Sequence, residues 1–312
     1  MPAPDRLARR AIATAALLLP FAIAAGQQPV TSGDWTTVDD ALGRKGMAQP
    51  GGVMRYGFPR SDLQVTADGV QLKAGFALGS WVAFRRMAGK EAMAMGDLVL
   101  TEQEVAPVMK ALQAGGVEQS ALHNHLLLES PRVMYMHIAA RGDAAKIAAA
   151  IHAALAQTAT PMAAPAPGAA APGGIALDTT AVAQALGRTG KVNGGVYQVT
   201  VARRQRITDH GMEIPPAMGV ATAINFQPTV GGKAAITGDF VMIASEVNPV
   251  IRALQANGIM PTGLHSHMLT ESPRLFFMHF WANDDAVTLA RGLRAALDRM
   301  AVMPAAKSVA AK

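Results

Sequence analysis

The chain has 312 residues, half of them hydrophobic, which is enough to bury one large core or two of ordinary size. The formal net charge of +6 is spread along the sequence without a basic tract interleaved with aromatic residues, so we expect no nucleic-acid binding. Because the chain contains no cysteine, it cannot form disulfides, thiolate metal sites or a lipid-modified N-terminal cysteine.

The first 24 residues have the pattern of a signal peptide. Arg6, Arg9 and Arg10 precede an apolar stretch at 11–25, in which residues 22–24 fit the small-x-small cleavage pattern. This stretch is short for a spanning helix, and no later segment reaches the ~18 apolar residues that a span needs. We therefore expect a periplasmic or secreted protein with no integral membrane span in its mature form. The alternative is an uncleaved membrane anchor.

The rest of the sequence is a tandem duplication. A shift of 142 residues aligns 116–137 with 258–279 at 11 of 22 positions. Between the two copies, residues 158–174 are almost entirely alanine, proline and glycine, which is typical of a semi-extended linker. We therefore predict repeat domains at 35–157 and 175–303, with a disordered tail at 304–312.

Each copy predicts the same order of elements. In the first copy these are a helix at 35–43, strands at 53–58, 63–66, 70–73, 80–86 and 94–100, a helix at 105–114, strands at 120–127 and 132–140, and a helix at 143–156. The first helix of the second copy is expected at 178–187. This order predicts an α+β fold of two tandem repeats, each a mainly antiparallel sheet with helices packed on one face.

Three histidines are predicted to share one face of a hairpin in each copy. His123 and His125 are two residues apart on a strand, so their side chains point to the same face. A hairpin symmetric about Ser130 places His123 opposite His137, with Cβ atoms ~4.5–5.5 Å apart. The equivalent residues of the second copy are His265, His267 and His279.

Three neutral imidazoles beside an open position suit a divalent metal ion, with zinc favoured and copper or iron as alternatives. The other interpretations are a hydrogen-bonded histidine cluster and a metal-free proton-transfer or ligand-binding site. Six of the eight histidines in the sequence fall in the two triplets, which favours a metal site. The sequence leaves open whether the two sites are separate or combine.

Charged residues follow each histidine pair. Glu129 and Glu271 are candidates for a fourth ligand or a catalytic general base, and they could equally accept hydrogen bonds from turn N–H groups. Arg132 and Arg274 are candidates for binding an anionic substrate, although an ion pair with the nearby glutamate is the favoured interpretation.

Two aspartates occupy matching positions in the repeats. Asp97 and Asp239 each end a Gly-Asp pair in a predicted strand region. Each could orient an imidazole by accepting a hydrogen bond from the ring nitrogen that does not face the metal, as carboxylates often do at metal sites. A role in a turn is the favoured prediction for both.

Two resemblances follow from these motifs. His123-x-His125-x3-Glu129 resembles the first metal motif of cupins, which would imply a jelly roll holding a metal with three histidines and one glutamate. That resemblance is confined to the motif, because His137 follows Glu129 by only eight residues and the predicted helices do not fit a jelly roll.

Nearly the whole mature chain resembles a bacterial exported family named for the mycobacterial LppY and LpqO lipoproteins. The runs that carry this resemblance are GDLVLTEQEVAPVMKALQ, ALHNHLLLESPRVMYMH, GDFVMIASEVNPVIRALQANGI and HSHMLTESPRLFFMHFWANDD. The resemblance implies export and duplication but no established activity. Because the lipobox cysteine is missing, it does not imply a lipid anchor.

The sequence thus predicts an exported protein with a three-histidine metal site in each repeat. The first hypothesis is a metal-dependent hydrolase of an unidentified small molecule, in which the ion lowers the pKa of a bound water and Glu129 or Glu271 handles protons. The alternatives are a non-catalytic metal-binding protein and a module that interacts with a cell-envelope component. In the last case, the histidine faces would pack between the two copies without metal.

Overall fold

The structure is a computed structural model that describes residues 34–87, 89–163 and 174–305. The predicted signal peptide lies outside these ranges, as do residues 164–173 of the predicted linker and 306–312 of the predicted tail. Among the described residues, no helix combines the length and the apolar character needed to cross a bilayer.

The first repeat contains four helices and nine strands in the described ranges. In chain order they are α1 Thr36–Leu42, β1 Met47–Gln49, β2 Val53–Pro59, β3 Thr66–Ala67, β4 Val70–Gln71, α2 Ala74–Ala77, β5 Gly79–Arg86, β6 Glu91–Thr101, α3 Glu102–Ala114, β7 Glu118–His123, β8 Glu129–Ser130, β9 Val133–Asp143 and α4 Ala144–Leu155.

The second repeat follows the same plan, with a short 3-10 turn at Pro216–Met218 in place of α2 and another at Val230–Gly232. Its elements are α5 Thr179–Leu186, β10 Lys191–Asn193, β11 Val196–Ala202, β12 Thr208–Asp209, β13 Met212–Glu213, β14 Ala221–Pro228, β15 Ala234–Met242, α6 Ala244–Ala256, β16 Met260–His265, β17 Glu271–Ser272, β18 Phe276–Asp284 and α7 Ala286–Leu297.

Each repeat builds a six-stranded sheet with the same strand order. The orders are β1-β2-β5-β6-β9-β7 and β10-β11-β14-β15-β18-β16, and all neighbouring strands are antiparallel. Two three-stranded sheets, β4-β3-β8 and β13-β12-β17, lie beside the main sheets. The strands predicted at 63–66 and 70–73 are observed only as the short β3 and β4, and β8 falls between the strands predicted at 120–127 and 132–140. The predicted α+β class is confirmed, whereas the jelly roll implied by the cupin-like motif is wrong.

The long helices cover only one face of each sheet, as predicted, whereas the short α2 packs on the inner face of the second sheet. In the first repeat, Ile147 and Ile151 on α4 pack against Leu98 on β6 and Met136 on β9 in a fully apolar cluster. The first turn of α4 is capped by Asp143, whose carboxylate accepts hydrogen bonds from two main-chain N–H groups at 3.0 Å. The second repeat has the equivalent cluster around α6 and α7.

The uncovered faces of the two sheets pack against each other. Two buried apolar clusters combine residues of both repeats: Met95 of the first with Met268 and Phe277 of the second, and Tyr135 of the first with Trp281 of the second. The molecule is therefore a four-layer sandwich of helices, sheet, sheet and helices. The inner layers bring the two histidine-bearing faces together.

Each repeat also extends a segment over the other repeat. The segment between β2 and β5 bonds to the second sheet, where Gln227 accepts from the main-chain N–H of Lys73 at 2.9 Å and donates to the carbonyl of Gln71 at 2.8 Å. In return, the carbonyl of Ala217, in the segment between β11 and β14, accepts from Arg55 of the first sheet at 3.2 Å. The two repeats are thus interlocked.

A buried ion pair fixes the start of each extended segment. Arg60 is fully buried, and its Nη1 donates to Oε2 of Glu104 at 2.7 Å. Arg203 makes the equivalent bond to Glu246 at 2.6 Å. Glu104 also accepts from the main-chain N–H of Thr101 at 2.8 Å, which caps α3. For this reason α3 begins at residue 102 rather than at the predicted 105.

Candidate metal centre

Neighbouring strands place one histidine of each triplet beside an aspartate. His137 on β9 lies directly opposite Asp97 on β6, and His279 on β18 lies opposite Asp239 on β15. Because side chains alternate along a strand, all four point to the inner face, away from the helices. The prediction of a turn role for the two aspartates is wrong, since both lie within long central strands.

The glycine before each aspartate is required by close packing with the next strand. A Cβ at Gly238 would lie 1.9 Å from the carbonyl oxygen of Ala223, and one at Gly96 would lie 2.7 Å from that of Trp81. Main-chain atoms in a central strand cannot move aside without breaking the ladder. The Gly-Asp pairs therefore mark a point of close strand approach, where the sequence suggested a turn.

The hairpin register differs from the prediction by two residues. His123 pairs with Tyr135 and His137 pairs with Ala121, and the register shifts by one further residue between Gln119 and Ala121. A shift of two residues keeps every side chain on its predicted face, whereas a shift of one would have reversed it. The second repeat has the same register, with His265 opposite Phe277.

The two histidine triplets meet in one cluster between the sheets. Ring centroids lie 3.6 Å apart for His123 and His265, 3.7 Å for His125 and His279, and 3.6 Å for His137 and His267. The sequence left open whether the sites were separate, and the structure combines them around an approximate two-fold axis. We call the six histidines together with Asp97 and Asp239 the histidine chamber.

Aromatic rings flank the chamber on both sides. The ring of Tyr135 stacks on His125 with centroids 3.3 Å apart, and the ring of Phe277 stacks on His267 at 3.4 Å. Three of the six histidines, His137, His267 and His279, are buried, whereas His123, His125 and His265 are only half-buried. Solvent therefore reaches the chamber beside these three residues.

Main-chain carbonyls orient several of the imidazoles. Nδ1 of His279 lies 2.9 Å from the carbonyl oxygen of Gly238, and Nδ1 of His123 lies 3.2 Å from that of Asn124. A carbonyl oxygen can only accept, so in both rings Nδ1 carries the proton and Nε2 presents a lone pair. This is the orientation in which a histidine binds a metal through Nε2.

Several polar atoms of the chamber have no hydrogen-bond partner among the residues that the structure describes. They are Nε2 of His123, His125, His137 and His267, and Oδ1 of Asp97 and Asp239. A buried polar atom without a partner costs about 1–3 kcal/mol, so such atoms are rare in folded proteins. Their concentration in one place makes the chamber a candidate ligand site.

The two carboxylates lie close to the imidazoles. Oδ2 of Asp239 is 3.3 Å from Nε2 of His267, and Oδ2 of Asp97 is 3.8 Å from Nε2 of His125. Burial raises the pKa of Asp97 to about 7, against the opposing effect of the Arg55 guanidinium. Burial also raises the pKa of Asp239 well above its usual value, and the charge of Asp97 adds to this effect.

The imidazoles are held in the neutral form. Burial lowers the pKa of His123 to about 4 and that of His265 to about 3. Burial is also the main cause, and repulsion among the rings the second cause, of a pKa well below the usual value in the other four histidines. These are His125, His137, His267 and His279. Neutral imidazole is the form that binds metal ions.

Two groups of ligand atoms are close enough to hold an ion. One group contains His123, His125 and His137, and the other contains His123 together with the second triplet; within each group the ligand atoms lie within 4.8 Å of one another. Every predicted metal ligand belongs to at least one group. Occupancy by a metal remains a prediction.

The two glutamates bind their own turns. Oε1 of Glu129 accepts from the main-chain N–H of Val133 at 3.2 Å, and Oε1 of Glu271 accepts from that of Leu275 at 2.8 Å. Burial raises the pKa of Glu129 to about 7. Neither glutamate belongs to the two ligand groups, and a catalytic role for them remains a prediction.

The two arginines lie at the surface. Arg132 is exposed, and Nη1 of Arg274 donates to the carbonyl of Met268 at 2.9 Å and lies 3.3 Å from Oε2 of Glu271. The arrangement of Arg274 is the ion pair that the sequence favoured. Binding of an anionic substrate by either arginine remains a prediction.

Comparisons with known proteins place the chain in a family. It matches the model of a family described as Domain of Unknown Function (DUF1259) twice, over residues 36–157 and 180–299, and the chain belongs to this family. No curated protein matches it. The double match agrees with the duplication found in the sequence.

Two solved structures show only distant similarity. A trimeric bacterial microcompartment shell protein, PduB, is 14% identical, covers 82% of this chain and 89% of its own, and has a TM-score of 0.23. EtuB from Clostridium kluyveri is 11% identical, covers 85% of this chain and 96% of its own, and has a TM-score of 0.21. At these TM-scores the likeness supports no conclusion about fold or function.

Proposed function

We propose that this protein binds a divalent transition-metal ion in the histidine chamber. The observation that carries the proposal is the convergence of buried imidazole Nε2 atoms that have no hydrogen-bond partner among the described residues. An ion would satisfy these lone pairs at once, as no single water could. The proposal places one centre between the repeats instead of an isolated site in each.

The donor set favours zinc, with copper or iron as alternatives. Neutral imidazoles bind all three metals, and the two aspartates supply the negative charge that a divalent ion needs in a buried place. The chain has no cysteine, so sites that depend on thiolate are excluded. Main-chain carbonyls behind His123 and His279 support this assignment, because such partners orient ligating histidines.

The alternative of a metal-free interaction module is less favoured. It would explain why the histidine faces are buried against each other. It would not explain why Asp97 and Asp239 each have one buried oxygen that lacks a partner in the described part of the chain. An interface that serves only for packing is more stable with apolar residues at such positions.

Hydrolysis of a small molecule is the second candidate function. The half-buried positions of His123 and His265 favour it, because solvent and a ligand can approach the chamber from that side. Water bound to zinc ionises near neutral pH, which supplies the nucleophile for hydrolysis. Metal binding or delivery without chemistry remains the alternative.

Export is part of the proposal. The first 24 residues have the charge and hydrophobicity of a signal peptide, which supports a periplasmic or secreted location. Fractionation of cells that express the full chain, with N-terminal sequencing of the mature form, tests this. Recovery of the uncleaved chain with the membrane would contradict it.

The metal content of the protein, purified without a histidine tag, tests the central proposal. Elemental mass spectrometry should find at least one transition-metal ion per chain, and the His123→Ala/His265→Ala variant should lose most of it. His152→Ala, which changes a histidine on α4 outside the chamber, is the matched control and should retain the metal. If the wild-type protein binds no metal even after reconstitution, the proposal is wrong.

A further inference from the structure

We propose that the histidine chamber holds two divalent ions side by side, one for each histidine triplet, with an oxygen-bearing anion between them. This inference rests on the proposed function and extends it from one ion to a two-metal centre. It also gives the class of ligand that the centre accepts, namely hydroxide or a small oxyanion such as phosphate or a carboxylate.

The imidazoles form two layers. Within the first triplet, the centroid of His123 lies 5.1 Å from that of His125 and 5.0 Å from that of His137, and the ring planes differ by 22° and 9°. Within the second triplet, the centroid of His265 lies 4.9 Å from those of its two partners, with angles of 28° and 24°. Each triplet is thus a set of nearly parallel rings.

The two layers face each other at stacking distance. Three pairs of histidine rings stack across the two layers, one ring from each layer, with centroids 3.6–3.7 Å apart. An imidazole binds a metal along the nitrogen lone pair, which lies in the plane of the ring. An ion held by one triplet and an ion held by the other are therefore about one stacking distance apart, which matches the ~3.5–4 Å separation of two-metal sites.

The number of donors also favours more than one ion. Six imidazoles and two carboxylates converge on the chamber, whereas a tetrahedral ion such as zinc takes four ligands. A single ion would leave about half of these donors without a partner in a buried interface, which is unfavourable for buried polar groups. Two ions use one full triplet each, and the aspartates beside the imidazoles supply negative charge.

The charge then specifies the third ligand. Two divalent ions bring four positive charges. Asp97 and Asp239 compensate two of these charges, and the neutral imidazoles compensate none. Two positive charges remain in a largely buried space, and such charge is stable only when paired. The half-buried side at His123 and His265 lets a small anion reach the position between the ions.

Copper titration with electron paramagnetic resonance tests the two-ion centre. The metal-free protein should bind two Cu²⁺ ions per chain, and at two equivalents the spectrum should show the half-field transition of two coupled spins. Inorganic phosphate, as the anion probe, should change that spectrum. Saturation at one ion overturns this inference and leaves the proposed function standing, whereas no binding overturns both.

Matched variants locate the two ions. His125→Gln/His137→Gln removes two ligands of the first layer and should leave one Cu²⁺ with the spectrum of an isolated ion. His267→Gln/His279→Gln should do the same for the second layer. Two uncoupled spins in the wild-type protein would contradict the proposal. The spectrum of the wild-type protein therefore tests the proposal even if a variant fails to fold.

Discussion

The hydroxyl of Thr262, on β16 of the second repeat, donates a 2.6 Å hydrogen bond to the main-chain carbonyl of His125 in the first repeat. Ser120, its counterpart on β7, donates in the same way to the carbonyl of His267. Each repeat therefore holds the main chain of one histidine in the other repeat. The geometry of the chamber depends on contacts between repeats as much as on either sheet.

Loss of these two hydroxyls should loosen the metal centre. In the Ser120→Ala/Thr262→Ala variant we expect metal affinity to fall about 10-fold or more, since partners that position ligands typically contribute 10–100-fold. A competition titration with a chromogenic chelator measures this. Thr262→Ser keeps the hydroxyl and should behave as wild type, so equal affinities for all three proteins would contradict the prediction.

Asp97→Asn should change how the stability of the metal-free protein depends on pH. The pKa of Asp97 is raised from 3.8 to about 7, so the folded state keeps a proton that the unfolded state has released. Its contribution to stability is therefore lost as pH rises from about 4 through about 7. Because one pKa unit corresponds to about 1.4 kcal/mol, the loss is on the order of a few kcal/mol.

Urea unfolding at pH 5 and pH 8 measures this effect. The Asp97→Asn variant should be more stable than wild type at pH 8 and differ less at pH 5. The exposed Asp40→Asn variant is the control. With metal present, the wild-type protein should be more stable than the Asp97→Asn variant, because asparagine supplies no charge to the ion. A variant that binds metal as tightly as wild type would contradict this.

The histidines should make the metal-free protein sensitive to acid. Their pKa values are lowered in the folded state, so below about pH 6.5 the unfolded chain takes up protons first. Stability is full above that pH and should be lost as the pH falls toward 4. Six histidines outnumber the three carboxyl groups that act in the opposite direction, Asp97, Asp239 and Glu129, so the net effect is acid unfolding.

The pH dependence of the urea midpoint checks this prediction. The His123→Gln/His265→Gln variant should show a shallower loss between pH 6.5 and 4, because two of the titrating rings are absent. Bound zinc should shift this loss of stability to a lower pH, at which protons displace the ion from the imidazoles. An unchanged slope in the variant would contradict the assignment of acid sensitivity to these rings.

Breaking the buried ion pair of the first repeat should cost much of the stability of the fold. Arg60→Ala leaves Glu104 as a partly buried carboxylate without its arginine, and removal of one partner of such a pair typically costs about 3–5 kcal/mol. Arg206→Ala is the matched control, because its pair with Glu213 is exposed and should contribute about 0–1 kcal/mol. Chemical denaturation distinguishes the two, and equal losses would contradict the prediction.

Local patterns in the sequence predict the sheets, the helices and the face on which the histidines lie. The two-residue difference in register did not change that face, because side-chain direction depends only on parity along the strand. The predicted start of α3 is three residues too late, because Glu104 caps the helix so that it begins at residue 102.

The union of the two triplets could not be predicted in the same way. It depends on contacts such as Gln227 with Gln71, which join positions 156 residues apart and leave no periodic signal. The favoured turn role of Asp97 was wrong for a related reason. A Gly-Asp pair is typical of turns, and only the close approach of the neighbouring strand explains the glycine in the middle of β6.

The interlocked repeats have a consequence for symmetry. Two identical subunits around a two-fold axis could in principle form the same four layers, since such an interface needs only one self-complementary surface. In a single chain with two copies, the two copies can carry different residues at equivalent positions. Here Tyr135 stacks on one side of the chamber and Phe277 on the other, so a phenol flanks only one histidine layer. Duplication within one chain thus permits a polarity between the two halves that a homodimer could never have.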